Sequence, residues 1–574
     1  MEPALPELVE RSIIMSIKKS VRSIVVIVLA IAALFSQAAG SYAAPKVLVF
    51  NHGKEIKAWD PSIDDSGGSF VIGNIFEGLM KDTKDGKLVP GQAEKYTISP
   101  DGLTYTFYLK PNITWSDGKP VTAKDFEYAW LRLLDPKAGS EYSYMGTSYI
   151  KNAKAFFDGK ATADKVGVKA LDEKTFQVIL ESKVPYFLNL TTFFSFMPVR
   201  KDIVEKHGDG WEKNPKTCIS NGPFVLESYK IGDNLTIAKN PKYYGSKNVK
   251  IDKVKMVFVS DQTTALNAFN AGDIHVNPEI PPAEIPRLIA EEPNLVFTPR
   301  MQTAYIIFNV DKPPFNDVRV RKAFALALNR KAICESALKG GETPATGVVP
   351  PVLSLSTGES FRTLGKNGKP AAEYGIDPNA ARVKEAQKLL AEAGYPNGKG
   401  FPKVTYTYVT RESLKKMSEA IQEMLKNNLN IKVELDNMEW QVLVDKRKRG
   451  DFIISGGNWT GDYADPMTFF DAYAVDSSWN ECQWRWKRSK VAPNDTVLNP
   501  EHKAFEQEIL MAQKTSGKTR DEHLKNAEKI LMDAAPVSPL YYGNFCYLVN
   551  QDKVRDVWMN KVGEYKFWDA EMVR

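Results

Sequence analysis

The stretch Asn458 to Phe470, NWTGDYADPMTFF, sets two carboxylates, Asp462 and Asp465, among Trp459, Tyr463, Phe469 and Phe470. A carboxylate in apolar surroundings is costly unless a cation or hydrogen-bond donors meet it. The chemistry on offer is therefore capture of a positive group. The competing reading is a turn after a strand, with Asp465 before Pro466 as turn chemistry and both acids in water.

Other constellations offer less. The five histidines, His52, His207, His275, His502 and His523, include no helical metal-binding pair, and no H-E-x-x-H is present. There is no G-x-S-x-G elbow and no P-loop. Ser413 to Lys416, SLKK, fits the S-x-x-K of penicillin-interacting enzymes, but neither S-D-N nor K-T-G completes it. Its Leu414, with Met417 beyond it, reads as a core position. Carboxylate pairs for glycoside hydrolysis are set by the fold at about 5–9 Å and are not readable from spacing.

The elements that must position Asp462 are the most legible part of the chain. Asp377-Pro378 reads as a helix start. Val383, Ala386, Leu389, Leu390 and Ala393 then recur at helical spacing, and Gly394 with Pro396 ends the run. KVTYTYV alternates as a strand from Val404. Leu414, Met417, Ile421 and Leu425 mark a second helix, followed by the strand IKVEL at Ile431. A third helix carries Trp440, Leu443 and Val444, and the strand DFIIS leads into the aspartate stretch. Helices alternating with strands predict an α/β lobe. Ligands in such lobes sit beyond the carboxyl ends of strands, which is where Asp462 falls. Further strands are predicted at Lys46 (KVLVF), Leu103 (LTYTFYL) and Thr175 (TFQVILE). Thr122 is placed to cap a helix whose Phe126, Ala129, Trp130 and Leu133 form an apolar stripe.

Lys18, Lys19 and Arg22 precede the apolar run Ile24 to Phe35, and small residues follow at Ser41 and Ala43. This pattern describes a cleavable secretory signal over residues 1–43, with Met15 as an alternative start. A spanning helix needs roughly 20 apolar residues, so the run is too short. No cysteine lies near the cleavage site to carry a lipid. Of 574 residues, 531 then remain, enough for two or three domains, with a charge near +5 after the formal +6 loses four bases and three acids. That charge is small, and no nucleic-acid face is indicated. Cys218, Cys334, Cys482 and Cys546 allow two disulfides in an oxidising compartment or stand as buried free thiols.

One ordered series of segments runs through the chain: FEGL (Phe76), PGQAEKYTISPDGLTYTFYLK (Pro90), WSDGKPVTAKDFEYAW (Trp115), NGPF (Asn221), KPPFNDVRVRKAFALALNR (Lys312) and GDYADPMTFF (Gly461). In that order they resemble the extracytoplasmic peptide-binding proteins of ABC transporters, of the oligopeptide-binding type, over essentially all of residues 46–574. The resemblance implies an α/β protein of the periplasmic-binding-protein type, with two lobes and an additional small domain. It makes the domains discontinuous: lobe I from 44–76, 203–301 and 545–574, the additional domain from 77–202, and lobe II from 302–544. Two chain crossings, near residues 301 and 545, form the hinge.

The resemblance further implies that Asp462, three residues after Trp459, accepts a peptide's α-ammonium group. The backbone from Asn458 through Thr460 to Gly461 pairs with the ligand main chain, and the aromatic residues of the stretch are pocket walls. Trp440 and Tyr305 match pocket positions, as does Tyr142 or Tyr144. Asp65, or Asp64 in the other register, matches an acidic cleft residue. Of the basic residues that hold a ligand carboxylate in such proteins, Arg447 is kept, whereas the others fall on Leu338, Leu414 and Gly456, and a histidine position is Lys448. Either carboxylate capture is rearranged, onto Lys339, Lys415 or Lys448, or the natural ligand presents no free carboxylate in the usual place. Where family members often carry a disulfide into the aspartate motif, this chain has Thr460. The implied function is capture of short peptides in the periplasm, without cofactor or catalysis, by a monomer that serves an inner-membrane ABC permease with ATPase subunits. The alternatives are a binder of murein or otherwise modified peptides and, from another class, an exported cell-wall hydrolase.

Overall fold

The computed structural model describes residues 15–16, 45–56, 58–63, 67–475, 477, 479–484 and 500–573. Contacts divide the chain into Met1–Lys46 and Val47–Arg574. In the first unit Met15 and Ser16 are helical, and the rest of the predicted signal lies outside the described residues. No described helix is long and apolar enough to cross a membrane.

In the second unit, eleven strands among the described residues join one sheet. They are β1 (Val47–Asn51), β2 (Phe224–Lys230), β3 (Asn234–Lys239), β4 (Lys253–Val257), β5 (Val276–Asn277), β6 (Leu295–Phe308), β7 (Thr343–Pro344), β8 (Val404–Val409), β9 (Val433–Met438), β10 (Ile454–Thr460) and β11 (Val537–Val549). Their order is β9-β8-β10-β6-β11-β5-β1-β4-β3-β2, and β7 pairs with β11. A separate antiparallel sheet joins Ala93–Ile98, Thr104–Leu109, Thr175–Ile179 and Val168–Ala170 in that spatial order.

The α/β alternation predicted over 380–455 is present. β8 and β9 are parallel, Val404 to Val433 through Val409 to Met438, as a strand–helix–strand crossover requires. The connecting helix Glu412–Leu429 buries Met417, Ile421, Leu425 and Leu429 on one stripe. The SLKK segment lies in its first turns, where Leu414 packs on the core and Lys416 pairs with Glu412 at 2.9 Å. One boundary differs from expectation. The preceding helix starts at Val383, and Asp377 instead accepts from the Asn379 amide at 2.8 Å, making Asp377-Pro378 a turn. The predicted helix after Thr122 is Ala123–Leu134, with Asp125 accepting from the Thr122 amide at 2.8 Å.

β6 and β11 carry the chain across the middle of the sheet and pair antiparallel with each other. Leu295–Pro299 pair with Asn544–Leu548, and Thr303–Ile307 with Val537–Tyr542, with a break between Pro299 and Thr303. Beyond the break, Gln302–Phe308 also pair with β10. All four cysteines are free thiols, three of them buried, so the two-disulfide alternative does not hold.

Candidate functional site

β10 has two edges of different kind. On one side it pairs with β6 over its whole length, Phe308 to Ile454 through Gln302 to Thr460. On the other it meets β8 only at Ile454 and Ser455. Among the described residues, the outer edge from Gly456 to Thr460 therefore has no strand partner, which is a template for an extended chain. The register is pinned at the end of the strand. Gly461 donates its amide to the Met301 carbonyl at 2.8 Å, and Gln302 Nε2 donates to Thr460 Oγ1 at 2.9 Å. A side chain on Gly461 would come within 2.9 Å of Thr468 Cγ2.

Asp462 follows directly. Its amide donates to Thr468 Oγ1 at 3.0 Å, which turns the chain and fixes the side chain's direction. The carboxylate is half-buried, has no ion pair among the described residues, and has the Tyr144 hydroxyl beside it. Burial lifts its carboxyl from the ordinary 3.8 to about 6, against the pull of that hydroxyl. Asp462 lines a cavity of about 350 Å3 walled by Phe70, Tyr142, Phe193, Phe194 and Phe545, with Arg300 and Glu564 also on its surface. Glu564 is compensated inside the protein by Lys566 at 2.8 Å. Asp462 is not.

Asp465, three residues on, is in a different state. It accepts from the Met467 amide at 2.9 Å and pairs with Arg520 at 2.7 Å. The turn reading holds for this residue, with a buried ion pair added.

The predicted residues separate into three places. Asp462, Thr460, Tyr142 and Tyr144 are at or beside the cavity. Trp459, half-buried, stacks edge-on against Trp479 at 5.8 Å, and Lys448 Nζ lies 4.1 Å from the Trp479 ring centre, while Asn458 on the same strand is exposed. Arg447 is 2% exposed, between the Trp440 ring, the Gly456 carbonyl at 2.7 Å and Glu481 at 3.0 Å. Tyr305, 6% exposed, lies in this same cluster beside Tyr473, Glu481 and Arg447. Lys339 and Lys415 are exposed and do not line the cavity. Asp65 and Asp64 lie outside the described residues.

One expectation is overturned. Tyr463, Phe469 and Phe470 are core rather than pocket walls, at 4%, 1% and 0% exposure. Tyr463 stacks on Tyr186 at 4.7 Å and its hydroxyl donates to Asp471, and Phe470 packs near Phe505. The short helix Thr468–Asp471 turns both phenylalanines inward. The cavity's aromatic walls come instead from four distant segments, and only Tyr142 among them was singled out from sequence. Arg300 was also missed, because a lone arginine in a strand carries no motif.

Residues 87–481 match the family of bacterial extracellular solute-binding proteins, family 5 (middle). The chain is 34% identical over 521 residues to the dipeptide-binding protein DppE of Bacillus subtilis, covering 90% of each. It is 35% identical over 515 residues to the oligopeptide-binding protein OppA of the same species, covering 88% of this chain and 89% of that one. Among solved structures, MppA, a periplasmic murein tripeptide binding protein in an unliganded open form, superposes with a TM-score of 0.77 at 31% identity, covering 93% of this chain and 98% of that one. The chain belongs to the family 5 extracellular solute-binding proteins, and its α/β fold is of the periplasmic-binding-protein type.

Proposed function

We propose that this protein captures short peptides outside the cytoplasm and delivers them to an inner-membrane ABC permease driven by ATPase subunits. The observation that carries this reading is the uncompensated Asp462 carboxylate at the end of a strand with an open edge, in a cavity with aromatic walls. A peptide's α-ammonium group supplies the missing charge, and its main chain extends the sheet along Asn458, Trp459 and Thr460. Trp440, Trp479 and Lys448 then border the path of later ligand residues. The names of the relatives, dipeptide-, oligopeptide- and murein tripeptide-binding, support a peptide ligand. Binding is non-covalent, without cofactor or turnover, by a monomer exported through the signal at 1–43 into the periplasm.

In this reading the lobes are 44–76, 203–301 and 545–574 against 302–544, with 77–202 as the additional domain. The crossings near 301 and 545 fall within β6 and β11, at and beside the break in their ladder. Ligand is expected to draw the lobes together, and small-angle scattering should show a smaller radius with saturating peptide. An unchanged radius counts against the hinge.

Thermal unfolding with and without a mixture of short peptides tests the function. A binder gains stability by mass action, about 2.7 kcal/mol at a hundredfold excess over Kd. No shift with any peptide, or hydrolysis of the peptides, contradicts the reading.

The raised carboxyl gives a second test. Ammonium capture needs an ionised Asp462 and a protonated peptide amine, so affinity should be greatest near pH 7, fall about tenfold by about pH 5 as Asp462 takes up its proton, and fall again above about pH 8 as the α-amino group loses its own. Folding runs the other way. The folded group, at about 6, holds its proton more tightly than the unfolded chain at 3.8, so its stabilising contribution is present at low pH and lost as pH rises through that window. Calorimetric titration across this range should give the profile, and Asp462→Asn should flatten its acid side.

A further inference from the structure

The basic residues expected to receive a ligand carboxylate do not face the Asp462 cavity. Arg447 is committed to Glu481, Lys448 lies over Trp479, and Lys339 and Lys415 are exposed elsewhere. Among the described residues that line the cavity, the one cationic side chain is Arg300.

Its surroundings leave it unsatisfied. Arg300 forms no ion pair among the described residues, and its Nε is buried with no acceptor. The guanidinium face lies on the Phe545 ring at 4.9 Å, which orients the plane but accepts no N–H. Its charged and titratable neighbours are the Tyr541 hydroxyl and, more weakly, Arg411, which repels it; no carboxylate among the described residues pairs with it. The orphaned Nε–H of this half-buried guanidinium is costly, and a carboxylate matches its fork of donors. The position is built by the strand. Arg300 precedes Met301, whose carbonyl holds Gly461, and Asp462 follows Gly461. Continuing the β6–β10 register past Gln302 and Thr460 sets Arg300 and Asp462 at opposed positions, yet no ion pair joins them. One cavity thus presents an unneutralised acid and an unneutralised base, the pattern that fits a ligand carrying both charges. At about 350 Å3 the space is near the lower end, roughly 300 Å3, of small-ligand sites.

We propose that Arg300 is a second charge-recognition residue of the cleft, donating to a carboxylate on the same short peptide whose ammonium group sits on Asp462. This rests on the ammonium role of Asp462 given above. The carboxylate is either the C-terminus of a dipeptide or an acidic side chain near the amino end of a longer peptide.

Calorimetric titration with two matched probe pairs separates these sources: Ala-Ala against Ala-Ala amide, and Ala-Glu-Ala amide against Ala-Gln-Ala amide. Wild type is expected to prefer the carboxylate member of at least one pair by about tenfold or more, and the pair that responds identifies the source. Arg300→Gln should reduce that preference to within about twofold, while the loss caused by N-acetylating the same probe remains as in wild type. Arg300→Lys keeps the charge but not the fork and should retain a reduced preference, which provides a test even if the glutamine variant does not fold. No preference in wild type, or an undiminished preference in either variant, overturns the role of Arg300. If acetylation is harmless to wild type, or no probe binds at all, the Asp462 reading falls and this inference falls with it. If acetylation still matters but carboxylates do not, Arg300 alone is wrong.

Discussion

Asp462→Asn is expected to weaken binding of a peptide with a free amino terminus by about 2–5 kcal/mol, as truncation of a buried hydrogen-bonded charge pair does elsewhere. Asparagine keeps the shape and can still meet the Tyr144 hydroxyl, so the loss isolates the charge. The carboxylate has already been partly desolvated by the fold, which is why its carboxyl sits near 6. An arriving ammonium therefore meets an acid that has given up much of its water and has no cation of its own. N-acetylation of the peptide should cost wild type a comparable amount. It should cost the variant far less, because both changes remove one interaction. Additive losses from the two changes would place the ammonium group elsewhere.

Asp465→Asn, three residues away, is expected to act on folding rather than on binding. It leaves Arg520 at 8% exposure without its carboxylate partner, above the Tyr186 ring at 5.6 Å. Breaking a buried pair by removing one charge costs about 3–5 kcal/mol. The turn itself should persist, since an asparagine oxygen can still accept from the Met467 amide. Urea denaturation should show the loss as a lower midpoint, while affinity of the folded variant stays within about tenfold of wild type, or 1.4 kcal/mol. An unchanged midpoint would mean that the pair adds nothing. The contrast between the two acids follows from where each finds its counter-charge: Asp465 within the chain, Asp462 from a ligand.

That contrast was only half legible in the sequence. The aspartate stretch reads as turn or site, and the resemblance assigns Asp462, but Arg520 lies 55 positions from Asp465 and no local pattern pairs them. Periodicity located the helix Glu412–Leu429 and the strands on either side, because their apolar spacing matches the element's own repeat. It misplaced the start of the helix Val383–Glu392, since a capping aspartate and a turn aspartate before proline look the same in one dimension. It gave no sign of β6 and β11, whose sequences lack strict alternation: β6 is interrupted by Pro299 and Arg300, and β11 by Pro539 and Gly543. The aromatic residues of the stretch misled for a related reason. Adjacency to Asp462 does not fix direction, and the turn at Thr468–Asp471 sends Phe469 and Phe470 into the core.

Native mass spectrometry of the protein as isolated, followed by denaturation and identification of any released small molecule, tests peptide capture most directly. A peptide-binding cleft gives a folded mass above that of the mature chain and releases peptides with free amino termini; after refolding, the same mass increments return with a peptide mixture and fail to return with its N-acetylated counterpart. A bare mass that no peptide shifts, or a released ligand without an ammonium group, would contradict it.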